Sequence, residues 1–273
     1  MSVVNSNIKS LVASQALKVS EKSLGTAMER LSTGRRINSA ADDAAGLAIG
    51  NKMATQIRSL NQAVRNANDG ISMIQTAEGA AEGITNLLIR MRELSVQATN
   101  GTNSTSDKTA LQSEFSSLQT EITRISDKTT WNGVALIGAD AGSVAYQIGV
   151  DGSTSDQVTV TFKDLNSGTS FATAVASTTS ATATTSITHI DDAISALDAF
   201  RSDLGAKINR LTYAADNLTN IATNTAASRS RIVDTDYAQT TSELARAQIV
   251  RQAGTAMLAQ ANQQPAFVLA LLR

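Results

Sequence analysis

The sequence predicts a mainly α fold: an elongated antiparallel helical coiled-coil bundle with a small β-hairpin region. Two apolar stripes and one scarcity predict it. Met53, Ile57, Leu60, Val64, Ala67, Ile71, Ile74, Ala81, Leu88 and Met91 recur at steps of three and four, or of their sum. Ile187, Ile190, Ile194, Leu197, Leu204, Ile208, Leu211, Ala215, Leu218 and Ala222 do the same. A mean step near 3.5 holds one apolar seam against a partner helix. The scarcity is of aromatic residues, 3% of a chain that is 42% hydrophobic. The apolar share is therefore mostly Ala, Leu, Ile and Val, which suits close helix–helix contact. Pro265 is the single proline, so long helices run uninterrupted.

The elements follow in order. Ile8, Leu11, Val12, Leu17, Leu24, Met28 and Leu31 form the stripe of a first amphipathic helix, from about Asn5 to Leu31, which Gly34 ends. Ser39 and Asp42 have the spacing of a capping box. A helix over 43–99 follows; at 1.5 Å per residue it spans roughly 80 Å. That is too long for a compact core, so a rod is expected. Asn100-Gly101 and the Thr/Asn/Ser run after it stop this helix. Leu111, Phe115, Leu118, Ile122 and Ile125 are the seam of a third helix, 107–128. Trp131-Asn132-Gly133 marks a turn, after which the period changes to two. Tyr146, Ile148 and Val150, then Val158, Val160 and Phe162, flank Asp151-Gly152, which predicts a β-hairpin over 143–163.

Residues 166–186 are nearly all Ser, Thr and Ala and read as a flexible or irregular surface connection. Composition alone makes this segment a candidate for O-glycosylation, with a plain loop as the simpler reading. A helix over 187–229 returns along the first long one, and 234–236 is a second connector. A last helix, from about Tyr237 to Asn262, ends before Pro265 and leaves an apolar tail. Gly46, Gly50, Gly70, Gly79 and Gly83 fall inside predicted helices, where each costs up to about 1 kcal/mol relative to Ala. Close approach of a neighbouring helix is the expected compensation.

Little of the chain looks like chemistry. The net charge of −1 offers no electrostatic case for nucleic acid or an anionic membrane. There is no cysteine, and His189 is the only histidine, so neither a thiolate site nor a multi-histidine metal cluster can form. The H-E-x-x-H zinc signature is absent. His189, close to Asp191 and Asp192, reads as a surface residue or cap. No nucleophile–base–orienter set stands out, so neither an enzyme nor a cofactor is expected. No apolar stretch is long enough for a membrane span. The N-terminus lacks the charged head and apolar run of a cleaved Sec-type signal. Arg90, Arg92 and Glu93, taken as residue types, are a solvated helix face with local ion pairs. The heptads alone are compatible with a closed helical bundle or with an open polymer.

Four segments carry a resemblance. ERLSTGRRINSAADDAAGLAI (Glu29–Ile49), NANDGISMIQTAEGA (Asn66–Ala80), RMRELSVQATNGTNS (Arg90–Ser104) and RAQIVRQAGTAMLAQANQQPAFVLALLR (Arg246–Arg273) closely resemble bacterial flagellin. The likeness covers roughly 1–140 and 187–273. The middle is short, without the large variable outer domains that many flagellins insert there.

The resemblance implies an inner domain of 1–42 with 235–273 and an outer rod domain of 43–234. It implies a structural subunit of the flagellar filament, secreted, extracellular and not an enzyme. The implied polymerisation core is Ile8, Leu11, Leu24, Met28 and Leu31 with Leu244, Val250, Met257, Leu258, Leu269, Leu271 and Leu272. Arg90, Arg92, Glu93, Leu94 and Glu114 lie where flagellins contact the adjoining subunit of a protofilament. Arg90, Leu94 and Glu114 also match positions read by Toll-like receptor 5. Further implied partners are copies of itself, the flagellar type III export apparatus, an export chaperone, the filament cap, hook-associated proteins and a cytosolic flagellin sensor. The competing readings are a hook–filament junction protein and a secreted coiled-coil adaptor.

Overall fold

The computed structural model describes residues 7–164 and 183–271, and the side chains within them except at 183–184 and 264–271. Among these, the helices are α1 (Ile8–Thr33), α2 (Ala44–Thr99), α3 (Thr105–Lys128), α4 (Ala183–Val233) and α5 (Tyr237–Leu271). The strands, all between α3 and α4, are β1 (Thr130–Trp131), β2 (Val134–Ala135), β3 (Ser143–Gln147) and β4 (Gln157–Thr161). The mainly helical class with a small antiparallel β part agrees with the sequence. The chain divides into two compact units, 1–57 with 223–273, and 58–222.

In the unit 58–222 the predicted seams are real and denser than the stripes suggest. Ile74, Ala77, Ala81, Ile84, Leu88, Met91 and Leu94 of α2 are buried at steps of three and four. Ile190, Ala193, Leu197, Phe200, Leu204 and Leu211 of α4 join them. The two helices are antiparallel: Arg92 pairs with Asp191, Glu78 with Arg201, and Leu60 and Ala63 pack with Leu218 and Ala222. Phe115 and Ile122 bring α3 onto the same core. A full capping box starts α3, with Asp107 N donating to Ser104 Oγ and Ser104 N to Asp107 Oδ2. The Ser104 hydroxyl and amide hold the Asp107 carboxyl below the usual range.

Both β pairs are antiparallel hairpins. Trp131 pairs with Val134 across Asn132 (φ 48°) and Gly133 (φ 81°), the left-handed pair that a two-residue hairpin turn requires. Sequence reading marked the turn and missed its strands, which are too short to show a period. In the larger hairpin Ser143 faces Thr161 and Gln147 faces Gln157. Val158, Val160 and Phe162 are buried as the alternation predicts. The first strand, however, ends at Gln147. Ile148 and Gly149 both donate to Asp156 O, which opens a wider loop with Val150 exposed in it.

Tyr146 seats this hairpin on α2. Its ring lies over Gly70, where an added Cβ would meet Tyr146 Cδ1 at 3.0 Å. Its hydroxyl donates to Met73 Sδ at 2.7 Å, and Asn66 Nδ2 donates to Gln147 O at 3.0 Å. Burial pushes the Tyr146 hydroxyl up to about 12.

In the unit 1–57 with 223–273, the two connectors pair. Arg35 bridges Asp234, Arg36 N donates to Val233 O at 2.7 Å, and Thr235 N donates to Gly34 O at 3.1 Å. Gly34 ends α1 at φ 69°, a left-handed cap. Ile37 is buried beneath the connector. Gly46 and Gly50 do allow close approach, to Ile37 and Val233, as Gly70 does to Tyr146 and Leu211. Gly79 and Gly83 meet nothing within 4 Å, so the expected compensation does not hold for them within the chain.

Three further expectations need correction. The Ser39–Asp42 pair closes the connector turn, and the cap of α2 falls to Asp43, whose Oδ1 accepts from Gly46 N at 2.8 Å. α4 starts at Ala183 and runs to Val233, so its first turn begins inside the Ser/Thr/Ala-rich stretch. The rest of that stretch, 166–182, lies outside the described residues. Lastly, α5 does not stop before Pro265 but continues to Leu271. A proline removes one ladder donor, and the carbonyl so deprived, Ala261 O, takes the Asn7 side-chain amide instead at 2.8 Å.

Two outcomes follow from this packing. Leu204→Ala, at a fully buried seam position, should cost about 2–5 kcal/mol in urea unfolding with the m-value unchanged. The raised Tyr146 pKa means that the unfolded chain releases this proton first. Its share of stability is intact below about pH 10 and is lost as pH rises toward 12. Tyr146→Phe should abolish that alkaline loss, as followed by unfolding midpoints, and the tyrosinate absorbance component near pH 12.

Candidate assembly surfaces

Two surfaces hold most of the assembly residues expected from the sequence. The first is the antiparallel pair of α1 and α5. Ser10 Oγ donates to Asn262 Oδ1 at 2.7 Å, Leu17 Cδ1 lies 3.3 Å from where a Cβ on Gly254 would sit, and Ser20 Oγ donates to Ala247 O at 3.3 Å. Partners descend α5 as they climb α1. The interior of this pair is made mostly of small side chains: Ser20, Ala27, Ala247 and Ala261 are buried, with Leu24 the one large apolar residue among those buried on α1.

The large side chains face outward instead. Leu11 is 72% exposed, Ile8 60%, Met28 56%, Met257 64% and Val250 48%. Leu31, Leu244 and Leu258 are half-buried. Leu272 and the side chains of Leu269 and Leu271 lie outside the described residues. Val19 and Ile249 are also exposed and were missed. Val19 sits one heptad beyond Val12 and could have been found from that spacing. A shallow groove of about 390 Å³ runs between the helices, lined by Ala16, Val19, Ala247 and Val250 and flanked by Glu243 and Arg246. A helix pair with alanines inside and Leu, Ile and Met outside has the surface of a core segment that lacks its remaining partners.

The second surface is charged. Arg90 Nε and Nη2 donate to Glu114 Oε1 at 3.0 and 2.8 Å, and Nη1 donates to Glu93 Oε2 at 2.9 Å. One guanidinium thus joins α2 to α3. Arg92 Nε donates to Asp191 Oδ1 at 2.6 Å and joins α2 to α4. Bonding to Glu114 first, and to Glu93 next, raises the Arg90 pKa; Asp191 does the same for Arg92. Both arginines stay about half exposed. Leu94 does not share this surface; it is 1% exposed and packs in the core below.

His189 is half-buried, and its Nδ1 has no hydrogen-bond partner. Among the described residues, no group of three or more His, Cys, Asp or Glu is placed to hold a metal, and no helix is long and apolar enough to cross a membrane.

Comparison with known proteins decides the family. Residues 4–140 match the bacterial flagellin N-terminal helical region, and residues 187–272 match the bacterial flagellin C-terminal helical region. The chain belongs to the bacterial flagellin family. It is 44% identical to a flagellin of Halalkalibacterium halodurans over 271 residues, covering 99% of this chain and 100% of that one. It is 33% identical to flagellin E of Vibrio cholerae over 373 aligned positions, covering 99% of both. The crystal structure of Bacillus cereus flagellin matches with a TM-score of 0.51 at 34% identity, over 60% of this chain and 94% of that one. The chain is accordingly a structural protein of the extracellular flagellar filament that self-polymerises, and not an enzyme.

Exposed ion pairs contribute little to folding because water screens them and two long side chains must be held still. Arg90→Ala and Glu114→Ala should therefore leave the thermal midpoint of the monomer within roughly 1–2 °C by circular dichroism. Any loss of assembly or recognition in those variants then reports on contact and not on misfolding.

Proposed function

We propose that the chain polymerises through α1 and α5, whose outward apolar residues are covered by neighbouring copies. The carrying observation is the inverted pair itself: Leu11, Ile8, Met28, Met257 and Val250 exposed around a mostly small-residue interior. Each such side chain contributes about 1.5–3 kcal/mol when fully covered. Ordering a helix costs about 1–2 kcal/mol per residue in backbone entropy, and an isolated pair recovers little of it. The helices therefore order on assembly, and folding is coupled to polymerisation. In this reading 1–42 with 235–273 forms the inner domain and 43–234 the outer one. Leu269, Leu271 and Leu272 belong to the same core and, in the free chain, to recognition by a cytosolic flagellin sensor.

The coupling bears on delivery. A chain whose ends hold no lasting fold alone is suited to export through the flagellar type III apparatus, with an export chaperone shielding the apolar ends. The filament cap and the hook-associated proteins are the further partners at the growing and basal ends. Arg90, Arg92, Glu93 and Glu114 form the protofilament contact, and Arg90 with Glu114 is the surface read by Toll-like receptor 5. Leu94 acts from beneath by holding that face in place. A surface used in the filament is covered there, so the receptor reads the monomer.

Four measurements test this. Seeding the purified chain should give long tubes by electron microscopy; a hook–filament junction protein or a soluble adaptor gives none. Hydrogen exchange should find 1–35 and 237–273 unprotected in the monomer and protected in the filament, and protection before assembly would overturn the coupling. Leu11→Ser or Met257→Ser should raise the critical concentration about tenfold or more with the monomer's urea midpoint unmoved. For the receptor, Arg90→Ala combined with Glu114→Ala should cut monomer-driven signalling strongly, and undiminished signalling would remove that part of the reading.

A further inference from the structure

The single proline of the chain stands inside a helix, and a specific side chain answers it. α5 is continuous through position 265. Pro265 has no N–H, so in the α-helical ladder Ala261 O has no donor four residues ahead. Ala261 is 9% exposed, so water has little access to make good the loss. Asn7 Nδ2 donates to that carbonyl at 2.8 Å. The other end of the same amide is also in use: Asn7 Oδ1 accepts from Ser10 N at 3.1 Å and caps α1. Ser10 Oγ, one turn on, donates to Asn262 Oδ1 at 2.7 Å.

We infer that Asn7 and Pro265 form a register lock between the two terminal helices, with Asn7 a positioning residue for assembly. Pro265 makes one carbonyl of α5 unlike those of an ordinary helical turn. Asn7 binds it with the amide that also begins α1. The start of α1 is thereby fixed at one level of α5. Such a device is needed here because the interior is poor in information about register. Ser20, Ala27, Ala247 and Ala261 are nearly interchangeable in size, so sliding by one turn changes their packing little. A buried polar contact is the means by which coiled coils with degenerate packing select one alignment. A slipped pair would present Leu11, Met28 and Met257 to neighbouring copies at the wrong levels. The inference rests on the reading that α1 and α5 order together on polymerisation.

The test separates the cap from the lock. Asn7→Asp keeps a good helix cap but has no amide donor and sets a carboxylate against Ala261 O. Pro265→Ala restores an N–H that can donate to that carbonyl. Because the chain has no cysteine, disulfide cross-links in the full-length protein report register directly. Ser20→Cys with Ala247→Cys reads the register of the structure. Ser20→Cys with Arg251→Cys reads a slip of one turn.

In filaments otherwise unsubstituted, the first cross-link should dominate. Asn7→Asp should lower the ratio of first to second about fivefold, the equivalent of one hydrogen bond. Pro265→Ala alone, which gives Ala261 O an ordinary helical donor in either register, should lower it by a similar amount. Equal yields in the unsubstituted background, or a ratio unmoved by Asn7→Asp or by Pro265→Ala, would each overturn the lock. A role in capping alone predicts no change with Asn7→Asp. Should the unsubstituted chain form no tubes, the polymerisation reading fails; tubes without a dominant first cross-link overturn the lock alone.

Discussion

The antiparallel apolar seam between α2 and α4 is the constraint on which the unit 58–222 depends. Its spacing leaves one continuous buried line on each helix, from Leu60 to Leu94 and from Ile190 to Ala222. Everything else in that unit is seated on it. Phe115 and Ile122 of α3 lie against its far end, and Val158 and Val160 of the larger hairpin cover another stretch. The flanking ion pairs have a different task. Arg92 with Asp191 and Arg201 with Glu78 are exposed enough to add little stability. They pair in one alignment only, so a slip of a turn would separate both.

The terminal helices follow the opposite rule. Where the seam places Leu, Ile and Phe inside and polar residues outside, α1 and α5 place mainly Ser and Ala inside and leave Leu, Ile, Val and Met outside. α5 also carries no single apolar stripe; its apolar residues are distributed around the helix. A helix apolar on several sides is one that expects several neighbours. The contrast assigns two tasks to two parts of one chain. The seam completes its core within the chain, and the terminal pair, in the reading proposed above, completes its own with other chains.

This contrast also explains what the sequence made legible. Period gave the long helices, their antiparallel return and the hairpin, because each buries one continuous face and so imposes a repeat on its residues. Boundaries were less visible. Asp43, and not the Ser39–Asp42 pair, caps α2, since the same three-residue spacing also closes the connector turn that Ser39 and Asp42 make. The Trp131–Val134 pairing was hidden because two-residue strands carry no period. Leu94 and Arg90, four residues apart, lie only about 40° apart around the helix, so period alone could not show that Leu94 packs in the core while the long Arg90 side chain reaches out to Glu93 and Glu114. The outward placement of Leu11 and Met257 could not be read at all. A stripe shows that a residue will be covered, not whether the cover comes from its own chain or from another.

Pro265 shows the limit of local rules most clearly. Propensity ends the helix there, because proline forfeits a donor and strands a carbonyl. The structure continues the helix because the stranded carbonyl has a partner 254 positions away in sequence, the amide of Asn7. The local penalty is real and is offset by a contact that exists only when both chain ends are folded together. This makes the last turns of α5 conditional on α1. A helix that would survive without proline now depends on its neighbour, which ties the order of one terminus to the order of the other. Under the proposed coupling of terminal order to assembly, such mutual dependence works against half-ordered states, in which one terminus is set while its partner is still unformed.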